Sequence, residues 1–279
     1  MTELIFLKLG GSLITDKTRP YTPRLEILSA LARQIAAFRQ ACPDRVLVLG
    51  HGSGSFGHVA ARKYHTRAGL PALGAGENGG VTQREQTYWR GFAEVWFQAS
   101  ALNRFLMEAL RQADVPAVAL APVSAVVAQD GRVAHWNLQP LRMALAAGLV
   151  PVVYGDVVFD EVRGGTILST EDLFEYLAQQ LRPKRILLAG LEGAVWADFP
   201  LRQQRVEKIT PASFAQIQAG VGKSHGADVT GGMESKVRQM LALVTEIPGM
   251  TAQIFSGEVE GNIERALYGE VLGTVIEAS

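Results

Sequence analysis

The chain has 279 residues, 48% of them hydrophobic, which is enough to fill a sizeable core and excludes a disordered or fibrous protein. Lys plus Arg equals Asp plus Glu at 27 each, so there is no overall basic field to hold nucleic acid or an anionic membrane, and small-molecule partners are expected. A single cysteine, Cys42, excludes an internal disulfide and suits a reducing cytoplasm, which is the expected location. In chain order, β-type runs fall at 3–9, 45–50, 117–121, 150–154, 185–190, 252–255 and 271–277, and helical spacing at 24–41, 81–113, 138–147, 170–181, 232–246 and 260–268. This alternation predicts an α/β fold with an open, mostly parallel central sheet and helices on both faces. Segments 122–135 and 157–167 break the pattern: Asp130-Gly131 and Arg163-Gly164-Gly165 read as turns of short antiparallel hairpins, a small lid on the sheet. Segment 66–80 reads as a glycine-rich flexible loop and 198–205 as a polar excursion. No linker divides the chain, so one domain spanning 1–279 is expected. The N-terminus enters a strand without a basic leader. The longest apolar stretch, Val115 to Ala128, contains Pro116 and Pro122 and falls short of the roughly 20 residues of a membrane span.

Chemistry concentrates in glycine-dense turns. His51-Gly-Ser-Gly-Ser-Phe-Gly-His58 follows the apolar run ending at Gly50, and such a turn presents bare backbone N–H groups to an anion with a titratable ring beside it. Gly10-Gly11-Ser12 follows the first run, with Lys8 inside the strand and Lys17 just downstream. This is not a Walker A sequence, since no Gly-Lys-Ser/Thr opens a helix. Two turns at the carboxyl ends of two strands meet at one sheet edge, where open α/β folds bind ligands. Lys8 among apolar neighbours is a costly charge unless an anion faces it, although an edge-strand lysine reaching solvent is the plainer alternative.

Three further stretches join these. Asp228-Val-Thr-Gly-Gly232-Met-Glu-Ser-Lys236 runs into an apolar-faced helix, offering free N–H groups and the positive dipole end to a phosphate. Ala189-Gly190-Leu-Glu-Gly193-Ala-Val-Trp196 ends a strand in a turn suited to a nucleotide base, and Ser169-Thr-Glu171-Asp172 reads at least as a helix cap. Each has a bland reading as an ordinary turn or helix start. A zinc site at His51 and His58 lacks a third ligand, so no resident metal is expected.

Taken together and in this order, the five stretches resemble the amino acid kinase superfamily, and the His51 to His58 octapeptide with Lys17 and Gly155-Asp156-Val157 resembles its isopentenyl phosphate kinases. The resemblance runs from Lys8 to about Lys236. It implies the amino acid kinase fold with the hairpin lid over the acceptor, an acceptor lobe over about 1–180, a nucleotide lobe over about 181–279, and a homodimer. It implies transfer of the ATP γ-phosphoryl group, with Mg²⁺, to isopentenyl phosphate in isoprenoid biosynthesis. By similarity Lys8 and Lys17 straddle the transferring group; Gly10, Gly11, Ser12 and Gly54 hold ATP phosphates by backbone N–H; Gly232 and Lys236 clasp the outer ones; and Gly190 and Gly193 border the nucleotide. Ser53, His58 and Gly155 hold the acceptor phosphate. Where relatives carry Ser-Gly-Asp-Asp, this chain has Ser169-Thr-Glu171-Asp172, so either Glu171 or Asp172 is the carboxylate that organises the lysines. An acceptor that is already a phosphate monoester, with a second pKa of about 6, needs no general base, only relief of repulsion between anions.

For the alkenyl tail, Trp89, Phe92 and Trp96, with Val95 and Ala99, form one bulky face of the helix read at 81–113, which is either plain core or a wall of the acceptor pocket. Val81, Val123, Val126 and Val127 are further candidates. Alternatives are a fosfomycin-type phosphonate kinase using the same loops, a non-catalytic nucleotide sensor on the same fold, and an amino-acid acceptor, which gives His58 no task.

Overall fold

The computed structural model describes residues 3–70, 82–217, 221 and 232–279. In chain order its first half comprises β1 (Leu4–Leu9), α1 (Gly11–Ile14), α2 (Leu25–Ala41), β2 (Val46–His51), α3 (Gly54–Tyr64), α4 (Gln83–Gln112), β3 (Ala117–Ala119), β4 (Val126–Gln129), β5 (Arg132–Trp136), α5 (Gln139–Ala146) and β6 (Val150–Tyr154). There follow β7 (Asp156–Asp160), β8 (Gly164–Leu168), α6 (Thr170–Leu181), β9 (Arg185–Gly190), β10 (Val195–Trp196), β11 (Arg205–Val206), β12 (Lys208–Ile209), α7 (Pro211–Ile217), α8 (Gly232–Glu246), β13 (Thr251–Ser256), α9 (Asn262–Tyr268) and β14 (Thr274–Ile276).

Eight strands form the main sheet in the order β12-β14-β13-β9-β1-β2-β6-β3, parallel throughout except where β14 meets β13. Alternation along the central strands sends side chains to two separate cores. Ile5, Leu7, Leu9, Leu47 and Leu49 meet Leu31, Ile35, Leu102 and Leu106 of α2 and α4. Phe6, Val48 and Val153 meet Leu173, Phe174 and Met240 of α6 and α8 on the opposite face. Phe6 and Phe174 lie 5.0 Å apart between centroids, and each such fully buried side chain contributes about 1.5–3 kcal/mol. By the same alternation Lys8 follows Phe6 toward the α6 side, at the carboxyl end of β1.

Segments 122–135 and 157–167 form the expected antiparallel hairpins, β4 with β5 and β7 with β8, but a parallel β4 to β7 pairing fuses them into one four-stranded sheet. Two differences from the sequence reading concern the glycine stretches. Gly11 opens a helical turn and Gly54 opens α3, so most of the octapeptide is helix rather than turn. Glycine lowers helix propensity, and tertiary contact overrides it here. The two-residue strands and α7 were too short to leave a periodic signal. The candidate tail residue Val81 and Asp228 to Gly231 lie outside the described residues.

Candidate active site

Pairing in register brings the turns together: Lys8 lies opposite Gly50, Leu9 opposite His51 on one side and Ala189 on the other, and His51 opposite Tyr154. The turns after β1 and β2 then touch. Gly52 N–H donates to Leu9 O at 3.0 Å; Thr15 Oγ1 donates to Gly11 O at 2.7 Å and accepts Ser55 N–H at 3.0 Å, stapling one turn to the other. A Cβ at Gly11 would fall on the backbone of Gly54, and Gly54, at φ 51°, leaves no room beside Thr15 and Gly11 O. Two helix N-termini therefore face one space, and the N–H groups of Gly11, Ser12 and Gly54 have no intrahelical acceptor by position. Gly10 differs from the sequence reading: its N–H donates to Ala189 O at 2.7 Å, so it holds the turn in place rather than offering a donor.

Lys8 reaches the first turn of α6 and forms a buried ion pair with Glu171. Burial pushes the Glu171 carboxyl up, and the facing charges of Lys8 and then Lys236 more than offset this, leaving it below the ordinary glutamate value. Asp172 does something else. Its Oδ2 accepts Ser169 N–H at 2.7 Å while Ser169 Oγ accepts Asp172 N–H at 3.1 Å, a reciprocal cap. Of the two carboxylates left open by the sequence, Glu171 is the one against the lysines. Lys17 stands on a loop closed by a Thr15 to Pro23 bridge and shaped by Asp16, which hydrogen bonds from Thr18 and Arg19 hold at about pKa 2.

Lys8, Lys17 and Glu171 line one cavity of about 330 Å³, together with Gly10, Gly11, Ser12, Ser53, Gly54, His58, Gly155, Gly190, Gly232 and Lys236. His58, on the second turn of α3, shares this lining with Gly57 and Ala61 of the same helix, Val95 of α4, Ile167 of β8 and Arg67, and Ala61, Val95 and Ile167 belong to one apolar cluster. Trp196, Phe199, Arg202 and Glu192 also line it: Trp196 Nε1 donates to Glu192 at 3.1 Å, Arg202 grips Glu192 with two nitrogens, and the Arg202 guanidinium stacks on Phe199. Gly155 lies at the cavity edge with its N–H donated to His51 O at 3.1 Å, so it offers shape and not a donor.

Five sequence-derived site residues fall elsewhere, Asp172 among them, since it is engaged in its cap. Trp89, Phe92 and Trp96 do not line the cavity: Trp89 and Phe92 pack on each other and on Phe159 behind it, and Trp96 is 43% exposed. The helix face turns Val95 inward instead. Gly193 is likewise outside the lining, its place taken by Leu191 and Glu192. Of the two histidines that bound the octapeptide, His58 lines the cavity and His51 is fully buried.

Residues 3–256 match the Amino acid kinase family. The chain belongs to the amino acid kinase family. This amino acid kinase is 33% identical to the isopentenyl phosphate kinase of Methanothermobacter thermautotrophicus over 98% of each chain, and 31% identical to that of Methanocaldococcus jannaschii over 99% of each. Its fold matches a crystal structure of an isopentenyl phosphate kinase with a TM-score of 0.80 and 28% identity, covering 98% of this chain and 99% of the other.

Sequence reading of this amino acid kinase missed Arg67, Ile167, Phe199 and Arg202 as cavity residues. Arg67 sits in a single 3-10 turn after α3, its carbonyl accepting Thr166 Oγ1 at 3.0 Å and its guanidinium 4.0 Å from Asp172. A glycine-poor, non-periodic stretch of three residues gives no signal of such a placement. Ile167 was foreseeable only as one face of a hairpin strand.

Proposed function

We propose that the protein transfers the γ-phosphoryl group of ATP to isopentenyl phosphate, giving isopentenyl diphosphate and ADP. The observation that carries this reading is a cationic, amide-lined cavity with His58 beside an apolar recess of Ala61, Val95 and Ile167. That combination fits a phosphate monoester with a short hydrocarbon tail. Two polyanions repel one another, and phosphoryl transfer is mainly positioning and charge neutralisation. Lys8, oriented by Glu171, and Lys17 flank the transferring group; the helix starts at Gly11 and Gly54, with Gly232 and Lys236, hold the ATP phosphates. Ser53 and His58 hold the acceptor phosphate, and Trp196 with the Phe199 to Arg202 stack borders the base. A fosfomycin-like acceptor has no use for the apolar recess, and a nucleotide sensor has no need of Lys8, Lys17 and Lys236 in one cavity.

Among the described residues no group of three or more His, Cys, Asp or Glu side chains is set to hold a metal. Mg²⁺ is read as part of the MgATP substrate, carried by phosphate oxygens and water. The assembly is read as a homodimer through the outer face of α4, where Trp96 and Phe97 are exposed. The enzyme is read as cytoplasmic; no helix among the described residues is long and apolar enough to cross a membrane. The acceptor-side residues concentrate before about 180 and the nucleoside side after it, with the phosphate-holding turns at Gly11 and Gly54 between the two.

An ADP-release assay across isopentenyl phosphate, dimethylallyl phosphate, fosfomycin and glutamate tests the substrate. Turnover is expected with the prenyl phosphates, and a preference for fosfomycin or glutamate overturns the reading. His58→Ala should raise the acceptor KM by roughly tenfold or more with little change for ATP, the loss of one charge-assisted hydrogen bond.

A further inference from the structure

His51 is the last residue of β2 and has no exposed surface, yet it is polar at both ends of its ring. The imidazole stacks on Tyr154 of β6 at an interplanar angle of 14° and a centroid distance of 5.2 Å. Nε2 lies 3.2 Å from Asn103 Oδ1 on α4, and Nδ1 lies 3.2 Å from the carbonyl oxygen of Gly52. Burial pushes the ring's pKa down to about 4, so it is uncharged near neutral pH. A neutral imidazole carries one N–H and one lone pair, and it does not donate to two oxygens. The oxygen and nitrogen of the Asn103 amide are interchangeable by a flip, whereas the Gly52 carbonyl has no such freedom. One arrangement satisfies all three groups: Asn103 Nδ2 donates to Nε2, and Nδ1–H donates to Gly52 O.

This bond has a consequence for the anion cavity. The Gly52–Ser53 peptide is planar and trans, so drawing its carbonyl toward the ring sends the Ser53 N–H the opposite way. Gly52, Ser53 and Gly54 all line the cavity, whereas the fully buried ring of His51 does not. The backbone carbonyl of His51 itself accepts Gly155 N–H at 3.1 Å and Thr170 Oγ1 at 2.6 Å, which ties the cavity edge and the helix carrying Glu171 to the same point.

We propose that His51 is a positioning residue: its Nδ1-protonated imidazole, held by the Asn103 amide, fixes the Gly52–Ser53 peptide so that the Ser53 N–H faces the acceptor phosphate. The identity of that phosphate rests on the function proposed above; the orientation of the peptide does not. His51 touches no ligand itself.

Two substitutions separate its two contacts. An Asn side chain places its amide nitrogen about where Nδ1 was, and a Gln side chain reaches instead toward Nε2 and Asn103. His51→Asn should therefore stay within about threefold of the parent in acceptor KM. His51→Gln should raise that KM roughly tenfold while kcat and the ATP KM change far less. Equal KM effects in both variants, or a loss confined to kcat, overturn the proposal. Long-range ¹H–¹⁵N correlation of the parent protein gives a test that needs no variant to fold: a protonated Nδ1 and bare Nε2 are expected, and a protonated Nε2 or an imidazolium refutes it. Titration with inorganic phosphate should shift the Ser53 amide resonance of the parent, and its failure to move counts equally against the idea. If the parent turns over no prenyl phosphate, the substrate assignment falls while the tautomer and phosphate titrations still decide on His51.

Discussion

Replacing Glu171 by Gln isolates the carboxylate that faces the lysines, with Asp172→Asn as the matched control one residue away. Lys8 and Glu171 expose only 9% and 5% of their side chains. Removing one partner of a buried pair costs about 3–5 kcal/mol. At roughly 2–3 °C per kcal/mol for a domain of this size, the melting temperature of Glu171→Gln should fall by about 6–15 °C. Asp172 shares its cap with Ser169 and is more exposed, so Asp172→Asn should cost only about 1 kcal/mol, in the range of a lost helix cap. The decisive readout is the response to MgATP in a thermal-shift assay. Nucleotide phosphates supply the counter-charge that Gln lacks, so ATP should raise the melting temperature of Glu171→Gln by more than it raises that of the parent. Similar melting temperatures for the parent and Glu171→Gln, with the larger loss in Asp172→Asn, would falsify the assignment of Glu171 as the partner of Lys8.

Other perturbations follow from the same geometry. Val95→Ala and Ile167→Ala should each shift the preference ratio toward ten-carbon prenyl phosphates, whereas Trp89→Ala and Trp96→Ala should leave it unchanged; competition assays among C5, C10 and C15 substrates decide. Opening the recess lets added methylenes find burial at about 0.8 kcal/mol each. Lys17→Ala should lower kcat at least tenfold with modest changes in either KM, and steady-state kinetics showing an equal loss of ATP affinity would mark it as a ground-state ligand instead. Asp156 is fully buried with Oδ2 unpartnered, and burial holds its carboxyl well above the ordinary aspartate value. Because the folded pKa is raised, its contribution is intact below the unfolded value of about 3.9 and is lost as pH rises toward the folded one. Asp156→Asn should therefore stabilise the protein at pH 8 more than at pH 5, and urea midpoints showing no such difference would count against a protonated Asp156.

What the chain reveals by itself divides along a physical line. Period-2 alternation placed Lys8 at the end of a buried strand, and the requirement for a facing charge followed from that alone. The choice between Glu171 and Asp172 was also within reach. In Ser169-Thr-Glu-Asp172 the fourth residue is the one that folds back onto the cap, which leaves the third to project toward β1. The two histidines were not separable in this way. They stand seven positions apart in one glycine-rich stretch, and what sends His51 into the core is Tyr154 beside it in the sheet and Asn103 on α4, 103 and 52 residues further along the chain. The apolar stripe of α4 carried a similar ambiguity. A helix face about a third of its circumference wide contains Trp89, Phe92 and Val95 together, and periodicity states only that they are inward. The lid sheet decides which of them meets ligand, since Phe159 covers Trp89 and Phe92 and leaves Val95 beside Ile167 at the cavity. Local rules therefore recover groups held by their own strand or helix turn, and the acceptor end, built where two sheets and two helices meet, needs the tertiary contacts.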